Sequence, residues 1–246
     1  MDISGAILID KPPFITSYDV IRELKRLLPV KKIGHTGTLD PLATGLMILL
    51  LGTATRLAQY FLHLNKVYQF TIKLGEETDT MDSEGAVTRR CDYSGVRSDD
   101  IRIAVQSFHG LIEQYPPVYS AIKYKGKPLY AYARKGQKVE VHPRMVNIIS
   151  LSMDDFSPPY VLFTAEVSSG TYIRSLAKSI GDVIQCCAHV TSLRRLSVGD
   201  FHVKQAFRLQ DIQQCLERGD NKYNFLIDKE TLLNKIKNKV PYTQGV

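Results

Sequence analysis

The chain has 246 residues, 44% of them apolar and 23% charged, and a net charge of +7. That length buries a sizeable core in one large domain or two modest ones, and no apolar run is long enough to cross a membrane. The opening residues MDISGAILIDKPP lack the basic, apolar and small-residue succession of a secretory signal, so a cytoplasmic location is expected. The positive charge suits an anionic partner, most often nucleic acid, but solubility alone explains it equally well. Cys91, Cys186, Cys187 and Cys215 form no C-x-x-C pair; they read as reduced, mostly buried thiols and not as a metal site.

In chain order, GAILID reads as a buried strand ending at Lys11-Pro12-Pro13. TSYDVIRELKRLL predicts a helix capped by Thr16 or Ser17, with Val20, Ile21, Leu24, Leu27 and Leu28 at helical spacing and Pro29 as its stop. LMILLLG predicts a second buried strand and ATRLAQYFLHL a helix. In KVYQFTIKLG, Tyr68, Phe70, Ile72 and Leu74 alternate with Val67, Gln69, Thr71 and Lys73, a strand of period two. EETDTMDSEG is an acidic loop, and a helix follows from about Asp99 to Phe108. The stretch QYPPVYSAIKYKGKPLYAYARKG predicts a strand, a turn at Lys125-Gly126-Lys127 and a short helix bearing tyrosines. MVNIISLSMDDF and YVLFTAEVSSG are strands joined at Ser157-Pro158-Pro159. TYIRSLAKSIGDVI is an amphipathic helix with Leu176, Ile180, Val183 and Ile184 inward, and HVTSLRRLSVGDF is a strand. Helices near Ile212–Leu216 and Leu232–Ile236 and a small basic tail, KIKNKV, complete the chain. This irregular interleaving favours an α+β fold: a mixed, largely antiparallel sheet flanked by helices.

Three constellations could carry chemistry. In KKIGHTGTLDPLATG, the glycines permit close approach to a ligand, and His35 and the threonines can donate to phosphate or base edges. Asp40 either acts on a ligand there or caps a short helix PLATG, with Pro41 at the first helical position. The stretch matches neither phosphate-loop pattern and lacks the second histidine of the H-x-G-H signature. Tyr68 is a core tyrosine or an aromatic platform beside a carboxylate. In SSGTYIRSLAKS, Arg174 falls in a first helical turn, either exposed or forming an anion site for a phosphate or for Asp40. SLRRLSVGDF and YKGKPLYAYARKG have the composition of surfaces that grip a nucleic-acid backbone and stack bases.

Together, GAILIDKPPFITSYDVI, KKIGHTGTLDPLATGLMILLLGTATRLAQY, KVYQFTIKLGEETDTMDSEG, QYPPVYSAIKYKGKPLYAYARKG, SSGTYIRSLAKSIG and AHVTSLRRLSVGDF are far more specific than any one alone. In this order, over roughly Ile7 to Phe201, they resemble the bacterial TruB family, the tRNA pseudouridine-55 synthases. The resemblance implies the pseudouridine synthase fold and isomerisation of uridine 55 in the tRNA T-loop, with the target base flipped out. It implies no cofactor and no metal. The partner is tRNA, through its T-arm and T-loop, with no membrane involved; a monomer is the default state.

Residue by residue, the resemblance makes Asp40 the catalytic aspartate, Tyr68 the tyrosine that stacks on the uracil, and Arg174 the arginine that pairs with the aspartate. His35 would enter the T-loop, Tyr172 and Leu193 would contact the target nucleotide, and Asp82 would meet the RNA. Lys31, Lys32, Lys66 and Arg56 are the candidate cations for the RNA backbone. Ser179 stands where the family usually has an acidic residue. Residues 1–201 are expected to form the catalytic domain, and 202–246 a short tail or reduced domain, too short for a full RNA-binding PUA domain. A tRNA-folding chaperone that needs no catalysis is the alternative function. A guide-RNA-dependent synthase subunit is disfavoured by the expected lack of a PUA domain.

Overall fold

The structure is a computed structural model, and it describes residues 3–137, 139–219 and 224–237. Strand β1 (Gly5–Lys11) leads to helix α1 (Ser17–Leu27). The Thr16 hydroxyl accepts from the Asp19 N–H, and the Asp19 carboxylate accepts from the Thr16 N–H, so a reciprocal cap starts α1. Strands β2 (Ile33–His35) and β3 (Thr44–Leu51) follow, then a 3-10 turn at Gly52–Leu57 and helix α2 (Ala58–Leu62). Strand β4 (Lys66–Leu74) alternates buried and half-buried residues along its whole length. The acidic segment is partly a strand: β5 (Glu76–Thr78) pairs with β6 (Val87–Arg90). Next come α3 (Ser98–Gln106), β7 (Gly110–Gln114), the small hairpin β8 (Lys123–Tyr124) and β9 (Lys127–Pro128), and α4 (Leu129–Ala133). Strands β10 (Arg144–Ser157) and β11 (Tyr160–Val167) meet at a turn with a cis Pro158–Pro159 bond. Helix α5 (Ile173–Val183), β12 (Ala188–Val198), β13 (Phe201–His202), α6 (Leu209–Arg218), β14 (Leu226–Asp228) and α7 (Lys229–Lys237) complete the described chain. The sheet is mixed and mostly antiparallel with helices against it, so the expected α+β class holds.

Two compact units make up the chain. The first comprises residues 1–66 and 194–246. Its strands run in the order β14-β1-β3, with the end of β12 beyond β3. β1 is antiparallel to β3, from Gly5 opposite Leu51 to Lys11 opposite Gly45. β12 joins β3 in parallel, with Arg194 opposite Thr44 and Arg195 opposite Gly45. Burial on both faces explains why β1 and β3 read as continuous apolar runs. Ala6, Leu8, Leu46, Ile48 and Leu50 pack with Phe61, Phe201 and Leu232. The segment after Phe201 therefore does more than trail behind the first unit: β14 pairs with β1 and Leu232 of α7 is fully buried. The rest of the basic KIKNKV tail lies outside the described residues.

The second unit comprises residues 67–193. Its strand order is β4-β11-β10-β7, with the start of β12 along β4. Phe70 and Phe163 stack at 5.3 Å between ring centroids within its core. On α5, Leu176 and Ile180 are buried as predicted, but Val183 is exposed, because the last turn of the helix runs past the core. The cysteine expectation also changes. Cys91 and Cys187 are joined in a disulfide, leaving Cys186 and Cys215 free. Spacing conceals this pair, since 96 positions separate the two residues and the fold alone brings them together.

Candidate active site

In the first unit the loop between β2 and β3 carries Asp40, and its backbone is anchored on both sides of that residue. The buried Ser17 hydroxyl donates to the Leu39 carbonyl at 3.0 Å and accepts from the Leu39 N–H at 2.9 Å. The Pro41 carbonyl accepts from the Phe14 N–H at 2.8 Å and from Lys11 Nζ at 3.0 Å. Lys11 is fully buried and also donates to the carbonyls of Pro12 and Ala43, at 2.8 and 2.7 Å. A buried ammonium is costly unless such partners satisfy it, so Lys11 ties the end of β1 to the loop. Asp40 itself is half-buried. It caps no helix: PLATG forms bends and then enters β3 at Thr44, because the backbone is drawn straight into the sheet.

His35 ends β2, half-buried, with its Nδ1 enclosed and unpaired. Burial, and then the positive charge of Arg195, hold its pKa below the usual histidine value. Lys31, Lys32 and Arg56 are exposed, as a role on a phosphate backbone requires. Lys66 is buried. Its ammonium donates to the carbonyls of Leu62 and Leu64 at 2.7 and 2.6 Å, closing the chain after α2. Burial, then Arg195, push its pKa down to about 8. The basic pair of SLRRLSVGDF divides between a partly exposed and a buried residue. Arg194 makes a two-pronged ion pair with Asp10, at 3.0 and 2.7 Å, and Arg195 is buried.

In the second unit Tyr68 lies on the buried face of β4 with Phe70, Ile72 and Leu74. Leu193 is buried on β12, and Tyr172 stands half-buried at the head of α5. The first turn of α5 buries Arg174, which is only 4% exposed, so the reading of an exposed helical arginine fails. Its guanidinium donates to the Thr80 carbonyl at 2.8 Å and the Tyr119 carbonyl at 2.9 Å, and lies 3.5 Å from the Asp82 carboxylate. Asp82 also accepts from the Thr80 hydroxyl at 2.6 Å and the Glu84 N–H at 3.1 Å. At 3% exposure it is an internal partner of Arg174. Ser179 is half-buried on α5, where neighbouring Lys178 pairs with Glu77 and Asp182. Among the described residues, no group of three or more histidine, cysteine or carboxylate side chains could hold a metal ion.

Comparison with known proteins identifies the family. The N-terminal domain model of the TruB family pseudouridylate synthases matches residues 25–173, and the C-terminal domain model of tRNA pseudouridylate synthase B matches 174–234. The chain belongs to the TruB family. The tRNA pseudouridine synthase B of Mesoplasma florum is 44% identical over 87% of this chain and 75% of its own length. That of Histophilus somni strain 2336 is 42% identical over 89% of this chain and 71% of its own. Among solved structures, the chain resembles one described as a Cbf5-Nop10-Gar1 complex, with TM-score 0.70 and 30% identity. It resembles another, an H/ACA RNP bound to a substrate RNA containing 2′-deoxyuridine, with TM-score 0.68 and 27% identity. It covers 90% and 91% of itself in these matches but spans 58% of each of the two chains.

Within this TruB chain, three further residues hold backbone beside candidate residues, in roles that sequence reasoning does not assign to them. Gln114 is buried, and its amide clasps the Tyr172 backbone: Oε1 accepts from the Tyr172 N–H at 2.7 Å and Nε2 donates to the Tyr172 carbonyl at 3.1 Å. Ser17 holds Leu39. Arg195 reaches the Asp40 loop from β12. Gln114 opens the QYPPVYSA stretch, and period two from Leu193 places Arg195 on the buried face of β12. No helix of the described residues is long and apolar enough to cross a membrane.

Proposed function

We propose that this protein converts uridine 55 in the T-loop of tRNA to pseudouridine, with Asp40, Tyr68 and Arg174 as its catalytic residues. One observation carries the reading: the Asp40 backbone is anchored immediately before and after the residue, at Leu39 and Pro41, while its side chain caps no helix. A carboxylate carried on a backbone anchored in this way is suited to meet a reacting carbon in one geometry. The reaction is an internal exchange of bonds. The C1′–N1 bond breaks, the uracil turns, a C1′–C5 bond forms, C5 gives up its proton and N1 gains one. No redox equivalent enters or leaves.

The residues divide this work. Asp40 acts as nucleophile or base and must be ionised; pairing with a buried cation such as Arg174 favours that form. The uridine must leave its loop before C1′ can be reached, at a cost of a few kcal/mol. His35, held toward its neutral form, fills the vacated place at little desolvation cost. Tyr68 supplies an aromatic face for the extruded base and Tyr172 and Leu193 line it, while Lys31, Lys32 and Arg56 take the backbone phosphates. The tRNA T-arm is thus the partner, and the protein acts in the cytoplasm as a monomer. The test is chemical mapping of pseudouridine in an unmodified tRNA transcript after incubation with the protein. Product at position 55 is expected, and Asp40→Asn should keep RNA affinity while losing turnover. Clear turnover by Asp40→Asn overturns the assignment.

A further inference from the structure

We propose that Arg195 is a positioning residue for Asp40: its single guanidinium ties the entrance of the loop that carries the carboxylate to β3, the strand into which that loop runs. The inference rests on the catalytic reading of Asp40 given above. Arg195 Nη2 donates to the carbonyl of Gly37, before Asp40, at 3.1 Å. Its Nε donates to the carbonyl of Leu46, after Asp40, at 2.7 Å. A guanidinium presents its donors in a rigid plane, so two acceptors bound to one group are fixed relative to each other. An ammonium on a flexible stem imposes no such relation.

The main chain of the same residue reinforces the bridge. Arg195 lies opposite Gly45 across the parallel β12–β3 pair. Gly45 has φ of +99°, and a Cβ there would run into the Arg195 backbone. Main chain and side chain together therefore register β12 against the start of β3, while the guanidinium alone reaches the loop entrance. The other anchors, Ser17 and Lys11, hold the middle of the loop at Leu39 and Pro41. With only 2% of its surface exposed, Arg195 is itself out of reach of a bound RNA. Its influence on the reaction passes through the loop.

The test compares wild type, Asp40→Asn, Arg195→Lys and Arg195→Ala on unmodified tRNA transcript, with melting temperatures measured in parallel. Arg195→Lys keeps a buried cation of the kind that Lys11 and Lys66 already represent, so it should fold. Its kcat should fall about 30-fold with KM within about 3-fold, because substrate contacts remain while the carboxylate is misplaced. Arg195→Ala should lose more, and roughly 50 mM guanidinium, but not equal urea or sodium chloride, should restore kcat about 5-fold by refilling the site. Arg195→Lys with wild-type kcat, a defect confined to KM, absence of guanidinium recovery, or failure of Arg195→Lys to fold overturns the inference; the last outcome makes Arg195 a part of the core only. If Asp40→Asn turns over RNA, the catalytic reading fails whatever the Arg195 variants do. If Asp40→Asn is inactive and both Arg195 variants are unimpaired, only the present inference fails.

Discussion

Arg174 and Asp82 form a buried ion pair at 3.5 Å, with their side chains 4% and 5% exposed. Removing Asp82 takes one carboxylate away from a buried guanidinium, a loss of up to about 3–5 kcal/mol. Asp82→Ala should therefore lower the free energy of unfolding by about 3 kcal/mol. Asp82→Asn, which keeps an acceptor for the Glu84 N–H, should cost less. Urea denaturation checks the order; an alanine variant within about 1 kcal/mol of wild type would show that the pair contributes little.

Gln114 offers Tyr172 one acceptor and one donor, which an ionised carboxylate cannot. Gln114→Glu turns the donor into a carboxylate oxygen facing the Tyr172 carbonyl. We expect a loss of about 1–3 kcal/mol in stability and about a 10-fold fall in turnover as Tyr172 shifts. Loss of stability with unchanged turnover would separate the clasp from the chemistry.

Lys66 predicts a distinctive response to alkali. Its folded pKa is about 8 against 10.5 for the free side chain. Between these values the unfolded chain holds a proton that the folded protein has shed, so stability rises with pH in this window, and the lysine costs stability below it. The difference in unfolding free energy between wild type and Lys66→Met should therefore shift in favour of wild type from pH 8 to pH 10. Urea titrations at several pH values measure it, and a flat difference contradicts the environment described.

His35 acts in the same sense at lower pH. Its folded pKa lies below the free value of 6.5, so the unfolded chain takes up the proton first and stability is lost as pH falls below about 6.5. His35→Asn should lose less over the range pH 6.5 to 5. Identical profiles for the two proteins would mean that the ring is more hydrated than its enclosed Nδ1 indicates.

Period two accounts both for the residues whose places are plain in the sequence and for those that charge alone misplaces. Alternation along β4 places Tyr68, Phe70, Ile72 and Leu74 inward, and so the structure has them. The same alternation puts Lys66 inward with Tyr68, and Arg195 inward with Leu193. Reading those two residues by charge assigned them to the surface; their hydrogen bonds to backbone carbonyls are what make burial tolerable. Asp40 was ambiguous because Asp-Pro suits a helix start, and only the sheet's pull on the following residues removes that option. Arg174 was visible as the head of a helix, but its partners Thr80, Asp82 and Tyr119 come from segments distant in sequence, which no local pattern reveals. Gln114 and the Cys91–Cys187 bond were hidden for the same reason.

The pairing of β14 with β1 also sets an order in time. The first unit needs residues from both ends of the chain, whereas the second runs without interruption from 67 to 193. During synthesis the second unit is complete first, and β1 waits with an open edge until Leu226–Asp228 emerge to cover it. The contact of Arg195 with the Asp40 loop is also made late, since a nascent chain lacks that bridge until residue 195 has been added.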